Sequence, residues 1–342
     1  MRAILANEFG GPDVLQFATV PSPTPGMGEL LIQIEACGVC FHDLLTRTGL
    51  LKRGVTLPFI PGHEPAGRVL AIGPAVENFE VGQRVCCLPV EPCWRCHHCL
   101  SGQDHLCANG NPLGHSWKAG GYAELIVMKA TSCLKLPDDI SSTDAAILGC
   151  AVGAVYRGYR LAEVRMGQIV VVTGAGGGTG LHSVQLAKIA GAHVVAVTSS
   201  EAKVEPIRRA GADEVVLAPN GHFHPEVLRL TARQGADVVM DNVGSPIWPS
   251  VLRSVAPGGC IVFVGQVSGE PIALNPGSLV HKNIRVIGTK GATLQDLREV
   301  LQLVATAKLH PIVSRELPLA EAAQAHRLLE DRQTIGRIVL VP

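Results

Sequence analysis

Four cysteines in "EPCWRCHHCLSGQDHLC", namely Cys93, Cys96, Cys99 and Cys107, follow the spacing C-x2-C-x2-C-x7-C. Four thiolates gathered by tight turns form a closed tetrahedral zinc site with no position left for substrate, which makes such a centre structural. An iron–sulfur cluster is the rival chemistry for these thiolates, and His97 and His98 are competing ligands. A second group is scattered: Cys40 in "GVCFHDLL", His63 and Glu64 in "PFIPGHEPAG", and Cys150 in "LGCAVGAVYRG". A lone buried cysteine is more often a packed core thiol than a ligand, His63 alone also reads as a satisfied turn histidine, and sequence distance does not bring these residues together.

A third constellation concerns phosphate. In "QIVVVTGAGGGTGLHSVQLAK" a glycine cluster separates an apolar strand from an amphipathic helix, where backbone amides and the helix N-terminus can receive a pyrophosphate. A literal G-x-G-x-x-G is absent. The looser set Gly174, Gly177 and Gly180, with Gly178 and Thr179, takes its place. Val243 in "ADVVMDNVG" and Gly265 in "CIVFVGQ" complete the cofactor-binding candidates. After the next strand, "HVVAV", an NAD-preferring site would carry an acidic residue for the ribose 2′-hydroxyl. This chain has Thr198, Ser199 and Ser200, followed by Lys203, which leaves room for a 2′-phosphate and removes the repelling carboxylate. NADP(H) is therefore the expected cofactor, with NAD(H) as the alternative.

The elements that must position these groups fall into two textures. Before residue 140, short β-branched stretches such as "ELLIQIEACG", "GRVLAIG", "QRVCCLPV" and "YAELIVM" are broken by Gly and Pro, the pattern of a mostly-β domain. "STDAAILGCAVGAVYRGYRLA" has apolar residues at helical spacing after Ser141, Ser142 and Asp144 as caps, and predicts a helical linker. Beyond it, apolar strands alternate with helices, the signature of a doubly wound parallel sheet. The last stretch predicts two helices and a final strand that returns to the first domain. The fold class is α/β with a mostly-β partner domain.

Composition narrows the function classes. The 342 residues predict about two domains, and 47% hydrophobic against 17% charged residues supports sizeable cores. The 29 basic and 29 acidic residues cancel, so neither nucleic acid nor a membrane surface is an expected partner, and small molecules are. Neither a signal peptide nor a spanning segment is visible, so a cytoplasmic location is expected. In that setting the 11 cysteines read as reduced thiols or metal ligands. Cys37, Cys86, Cys87, Cys133 and Cys260 are left as packing residues.

Taken in order, "GVCFHD", "PGHE", the four-cysteine lobe, "GGYAE", "LGCAVGAVYRG" and "VTGAGGGTG" resemble the zinc-containing medium-chain alcohol dehydrogenase superfamily over essentially the whole chain. The resemblance implies a GroES-like, mostly-β catalytic domain over 1–150 and 289–342, with the structural zinc lobe at about 91–108. It implies a Rossmann dinucleotide-binding domain over 151–288, with the active site in the cleft between the two. It further implies a catalytic zinc on Cys40, His63 and Cys150, with Glu64 as an alternative or outer ligand, and a fourth position for water or substrate. A homodimer or homotetramer, joined edge to edge through "NIRVIGT", is implied as well.

This chain departs from its relatives at the proton relay. Where many carry Ser or Thr two places after the first cysteine and His three places later, it has His42 and Leu45. His42 either transfers the proton itself or holds the cofactor. Ala154 stands where relatives often have Thr. "CFHDLL", the "YRG" helix and "TSSEAK" are shared with the acryloyl-CoA reductase branch, so three functions are weighed: an alcohol dehydrogenase or carbonyl reductase, an NADPH-dependent enoyl reductase, and a non-catalytic zinc-stabilised binding protein.

Overall fold

The alternating stretch after the first Pro-rich segment forms an eleven-residue strand, Glu29–Val39, whose buried and exposed positions alternate along its first half. The computed structural model describes residues 1–342. In it, one edge of this strand pairs antiparallel with Leu125–Lys129 along its first half and with Arg337–Val341 at its end. The other edge pairs with Glu64–Ile72, and Arg84–Cys87 and Cys133–Lys135 extend the sheet. The final strand does return to the first sheet. Leu30, Ile32, Phe59, Tyr122, Ile126 and Met128 pack its core.

Register decides what meets at one end of this sheet. Gly38 lies opposite Glu64, and Ile338 lies opposite Val39. Cys40, Glu64 and Arg337 therefore arrive together, each at the end of a different strand. The parallel edge strand Val313–Pro318 was not expected from sequence. Its residues "VSRELP" are mostly exposed and lack the apolar alternation that a buried face imposes.

The predicted linker helix is three pieces. Ser142–Ala146 is capped by Ser141, whose hydroxyl accepts from the Asp144 amide; Leu148–Val152 is a π turn; Gly153–Ala162 resumes the α-helix. In the wide turn the Val152 amide donates to the Ile147 carbonyl at 3.3 Å. Gly149 passes so close to strand Arg84–Cys87 that a Cβ would lie 2.7 Å from the Cys87 carbonyl oxygen. Single π turns commonly mark functional sites, and this one carries Cys150.

By backbone contacts the chain forms two units: Met1–Gly153 with Gly291–Ala307 and Pro311–Pro342, and Ala154–Lys290 with Lys308–His310. The second holds six parallel strands in the order Glu214–Leu217, His193–Thr198, Ile169–Val172, Ala236–Asp241, Val255–Phe263 and Arg285–Gly288. This is the doubly wound order with a reversal beside Ile169–Val172, where ligands bind in such sheets. Val170, Val171 and Val172 are fully buried, which explains a strand without polar alternation. No helix is long and apolar enough to cross a membrane.

Candidate metal centres and dinucleotide loop

Cys40 caps the helix Phe41–Arg47. Its Sγ accepts from the His42 amide at 3.5 Å, and the Asp43 carboxylate returns to accept from the Cys40 amide at 3.0 Å. This reciprocal box fixes the thiol at the sheet end. His63 Nδ1 lies 2.6 Å from Asp43 Oδ1, and its Nε2 lies 3.3 Å from Cys150 Sγ. A carboxylate only accepts, so Nδ1 carries the hydrogen and Nε2 faces the thiols. The ligand atoms of Cys40, His63, Glu64 and Cys150 all lie within 4.8 Å of one another.

Glu64 is engaged from behind. Arg337 Nε donates to its Oε2 at 3.1 Å, and a second guanidinium nitrogen pairs with Oε1. Gly38 allows this approach, because a Cβ there would lie 2.0 Å from Glu64 Oε2. Burial pushes the Glu64 carboxyl upward against the pull of Arg337. The two thiols split: hydrogen bonding from Cys150 holds Cys40 well below the usual thiol range, and the same contact pushes Cys150 up. Burial opposes the charge on Asp43, yet His63 holds it below the ordinary carboxylate range. Two thiols, one of them readily ionised, and an imidazole braced by a carboxylate form a donor set that fits zinc.

His42 stands at the edge of this cluster. Its ring meets His63 edge-on at 5.0 Å and stacks on His115 at 5.6 Å with a 3° tilt. Burial, then the charge of His63, lowers the His42 pKa, and burial pushes His115 down to about 4.

The lobe cysteines form a separate group, with the ligand atoms of Cys93, Cys96, Cys99 and Cys107 within 4.8 Å of one another. Cys96 Sγ is 3.6 Å from Cys99 Sγ and 3.9 Å from Cys107 Sγ. The Cys93 amide donates to Cys107 Sγ at 3.2 Å. A hydrogen bond from the Arg95 amide lowers the Cys93 thiol to about 6. Neither His97 nor His98 belongs to the group.

In the second unit, Gly177 caps the helix Gly178–Ile189 without a side-chain hydrogen bond. The first amides of a helix, here those of Gly178, Thr179 and Gly180, have no intrahelical partners and present positive charge. A Cβ on Gly180 would lie 2.2 Å from the Gly174 carbonyl oxygen, so only glycine lets helix and loop pack. Val243 follows the adjacent strand, with Cγ2 3.0 Å from a Cβ built on Gly174. Gly265 approaches the Asn242 carbonyl, and the Lys203 stem lies over Gly176. Thr198 Oγ1 accepts from the Ser200 amide at 3.3 Å and closes the turn after the second strand. This glycine cradle fits a dinucleotide pyrophosphate.

Family models match the alcohol dehydrogenase GroES-like domain over residues 26–138 and the zinc-binding dehydrogenase domain over 178–306. An acryloyl-coenzyme A reductase from Metallosphaera sedula is 35% identical over 342 residues, covering 99% of each chain. The chain belongs to the medium-chain dehydrogenase/reductase superfamily. A further relative of this oxidoreductase, an NAD-dependent alcohol dehydrogenase from Sulfurisphaera tokodaii, is 34% identical over 354 residues and 100% of each chain. The crystal structure of AibC superposes with a TM-score of 0.92 at 40% identity, covering 100% of this chain and 96% of that one. The GroES-like and Rossmann domains expected for this dehydrogenase are thus both present.

Several residues packed around the Cys40, His63 and Cys150 cluster have no role that the sequence assigns. Asp43 and Tyr122 lie within the quoted motifs "GVCFHD" and "GGYAE", so their positions were visible although their contacts were not. Arg337, His115 and His326 belong to no motif; only the sheet register and loop packing bring them in.

Proposed function

We propose that the protein is a zinc-dependent alcohol dehydrogenase or carbonyl reductase that moves a hydride between NADP(H) and an alcohol, aldehyde or ketone. The observation that carries this reading is the convergence of the Cys40, His63 and Cys150 donor atoms within 4.8 Å, in a member of a zinc-binding dehydrogenase family. In this reading residues 1–150 and 289–342 form the catalytic domain and residues 151–288 the cofactor domain.

Cys40, His63 and Cys150 would hold the catalytic zinc, and Cys93, Cys96, Cys99 and Cys107 the structural one. Bound there, the catalytic zinc supplies Lewis acidity to an alcohol or carbonyl oxygen, and the nicotinamide supplies or accepts the hydride. Asp43 keeps the hydrogen of His63 on Nδ1 and so leaves Nε2 free to ligate. Arg337 compensates the charge of Glu64 and holds that carboxylate as an outer or alternative ligand. His42 holds or moves the substrate proton on its imidazole, the task that a hydroxyl and a second histidine share in many relatives. Gly174, Gly177, Gly178, Thr179 and Gly180 receive the pyrophosphate, with Val243 and Gly265 lining the cofactor. Thr198, Ser199 and Lys203 accept the 2′-phosphate, which favours NADP(H) over NAD(H).

A second reading, NADPH-dependent reduction of an enoyl thioester, is favoured by the loss of the usual relay at His42 and Leu45 and by the likeness to an acryloyl-coenzyme A reductase. Steady-state turnover of alcohols, aldehydes and acryloyl-CoA, each with both cofactors, tests the two. Faster reduction of aldehydes with NADPH supports the first; acryloyl-CoA as the best substrate supports the second; a tenfold preference for NADH removes the cofactor assignment. The edge strand Arg285–Gly288 supports pairing with a second copy in a cytoplasmic dimer or tetramer. Light scattering on the eluting protein checks this, and a monomer would refute it.

A further inference from the structure

The buried polar chain continues beyond Asp43, away from the metal ligands. Tyr122 Oη lies 3.3 Å from Asp43 Oδ2 and 3.2 Å from His326 Nε2. The two rings meet edge-on, with centroids 5.9 Å apart at 88°. Tyr122 and His326 are both 0% exposed, so solvent supplies neither with a substitute partner.

Donor counting gives this chain one direction. Asp43 only accepts: Oδ1 from His63 Nδ1, and Oδ2 from the Cys40 amide and the Tyr122 hydroxyl. A phenol has one hydrogen, so once it points at Asp43 its oxygen must accept from His326 Nε2–H. His326 Nδ1 is buried with no hydrogen-bond partner, and a hydrogen placed there would be an unpaired donor.

We propose that His326 is a positioning residue for the metal centre: its Nε2–H aims the Tyr122 hydroxyl at Asp43, and Asp43 in turn holds His63 with Nε2 facing the metal. Burial pushes His326 down to about 4 against the pull of the Asp43 carboxylate, so near neutral pH it carries the single ring hydrogen that this arrangement uses. The helix Ala322–Glu330, which bears His326, thereby helps set the tautomer of a ligand 263 residues earlier in the chain.

This inference rests on the reading of Cys40, His63 and Cys150 as zinc ligands, and its test separates the two. Cobalt-substituted and zinc-loaded wild type, His326→Leu, His326→Gln and Tyr122→Phe are compared by metal release to a chelator and by the cobalt absorption bands. A Cys40→Ala variant identifies the release phase that belongs to this site. Outer-shell partners typically change metal affinity 10–100-fold, and His326 stands two bonds further out, so release about 3–10-fold faster is expected for His326→Leu and Tyr122→Phe. Their cobalt bands shift, and the lobe releases at the wild-type rate. His326→Gln, whose amide N–H can replace Nε2–H, restores the slow rate. Tyr122→Phe removes a single oxygen, so it carries the test alone if His326→Leu does not fold. Wild-type release and bands in both variants would overturn the proposal, as would a Gln variant as fast as Leu. If wild type shows no phase that Cys40→Ala removes, the zinc reading falls and this one with it.

Discussion

The two cysteine-rich clusters offer similar donor atoms and are embedded in opposite ways. In the lobe, all four thiols come from the single stretch Cys93–Cys107, three of them partly exposed, and backbone amides are the groups that steady them. In the other site, Cys40, His63 and Cys150 come from a helix cap, a strand start and a π turn, and charged side chains enclose them: Asp43 behind His63, and Arg337 behind Glu64. A closed four-thiol site needs only local turns, and its service is to tie a loop. A site that leaves one position open must prevent its ligands from collapsing onto it, and that requires rigid elements with buried partners.

This contrast can be broken at either site. The largest effect is expected from Cys40→Ala: turnover should fall by about 10³-fold or more, since metal polarisation is worth several kcal/mol in the transition state. Metal analysis should show one zinc lost and the lobe's zinc retained; unchanged reduction of an aldehyde would remove the catalytic assignment. Asp43→Asn should weaken metal at this site by about 10–100-fold in a chelator competition, with the lobe unaffected. Equal weakening at both sites would mean that Asp43 acts on the fold rather than on His63.

In the second unit, Ser199→Asp should shift the kcat/KM ratio of NADPH to NADH toward NADH by about tenfold, the equivalent of about 1.4 kcal/mol of repulsion against a 2′-phosphate. An unchanged ratio would place the 2′-phosphate elsewhere. The smallest catalytic effect belongs to Cys93→Ser. It should release the lobe's zinc and lower the melting temperature while leaving kcat within about a factor of two, as befits a closed structural site. A loss of activity matching that of Cys40→Ala would erase the distinction between the sites.

Legibility in the sequence followed the same divide. The C-x2-C-x2-C-x7-C run and the glycine cluster could be read directly, because each places its groups within one turn or one strand–turn–helix unit. The parallel strands could be read because burial on both faces leaves continuous apolar runs such as "IVVV". The strand Val313–Pro318 could not, since an exposed edge imposes no pattern. The linker read as one helix because the apolar spacing does not register an extra residue in a turn, yet that residue gives Cys150 its setting.

What the sequence alone determined were the residue types and local spacings: four thiols at C-x2-C-x2-C-x7-C, a glycine cluster between a strand and a helix, and hydroxyls rather than a carboxylate after the second strand. Only the tertiary structure decided which distant groups share a site. The pairing of Gly38 with Glu64 and of Val39 with Ile338 brings Arg337 to Glu64, and the packing of the helix Ala322–Glu330 brings His326 to Tyr122. Strand register and helix packing depend on the burial of whole faces, which no short run of residues records.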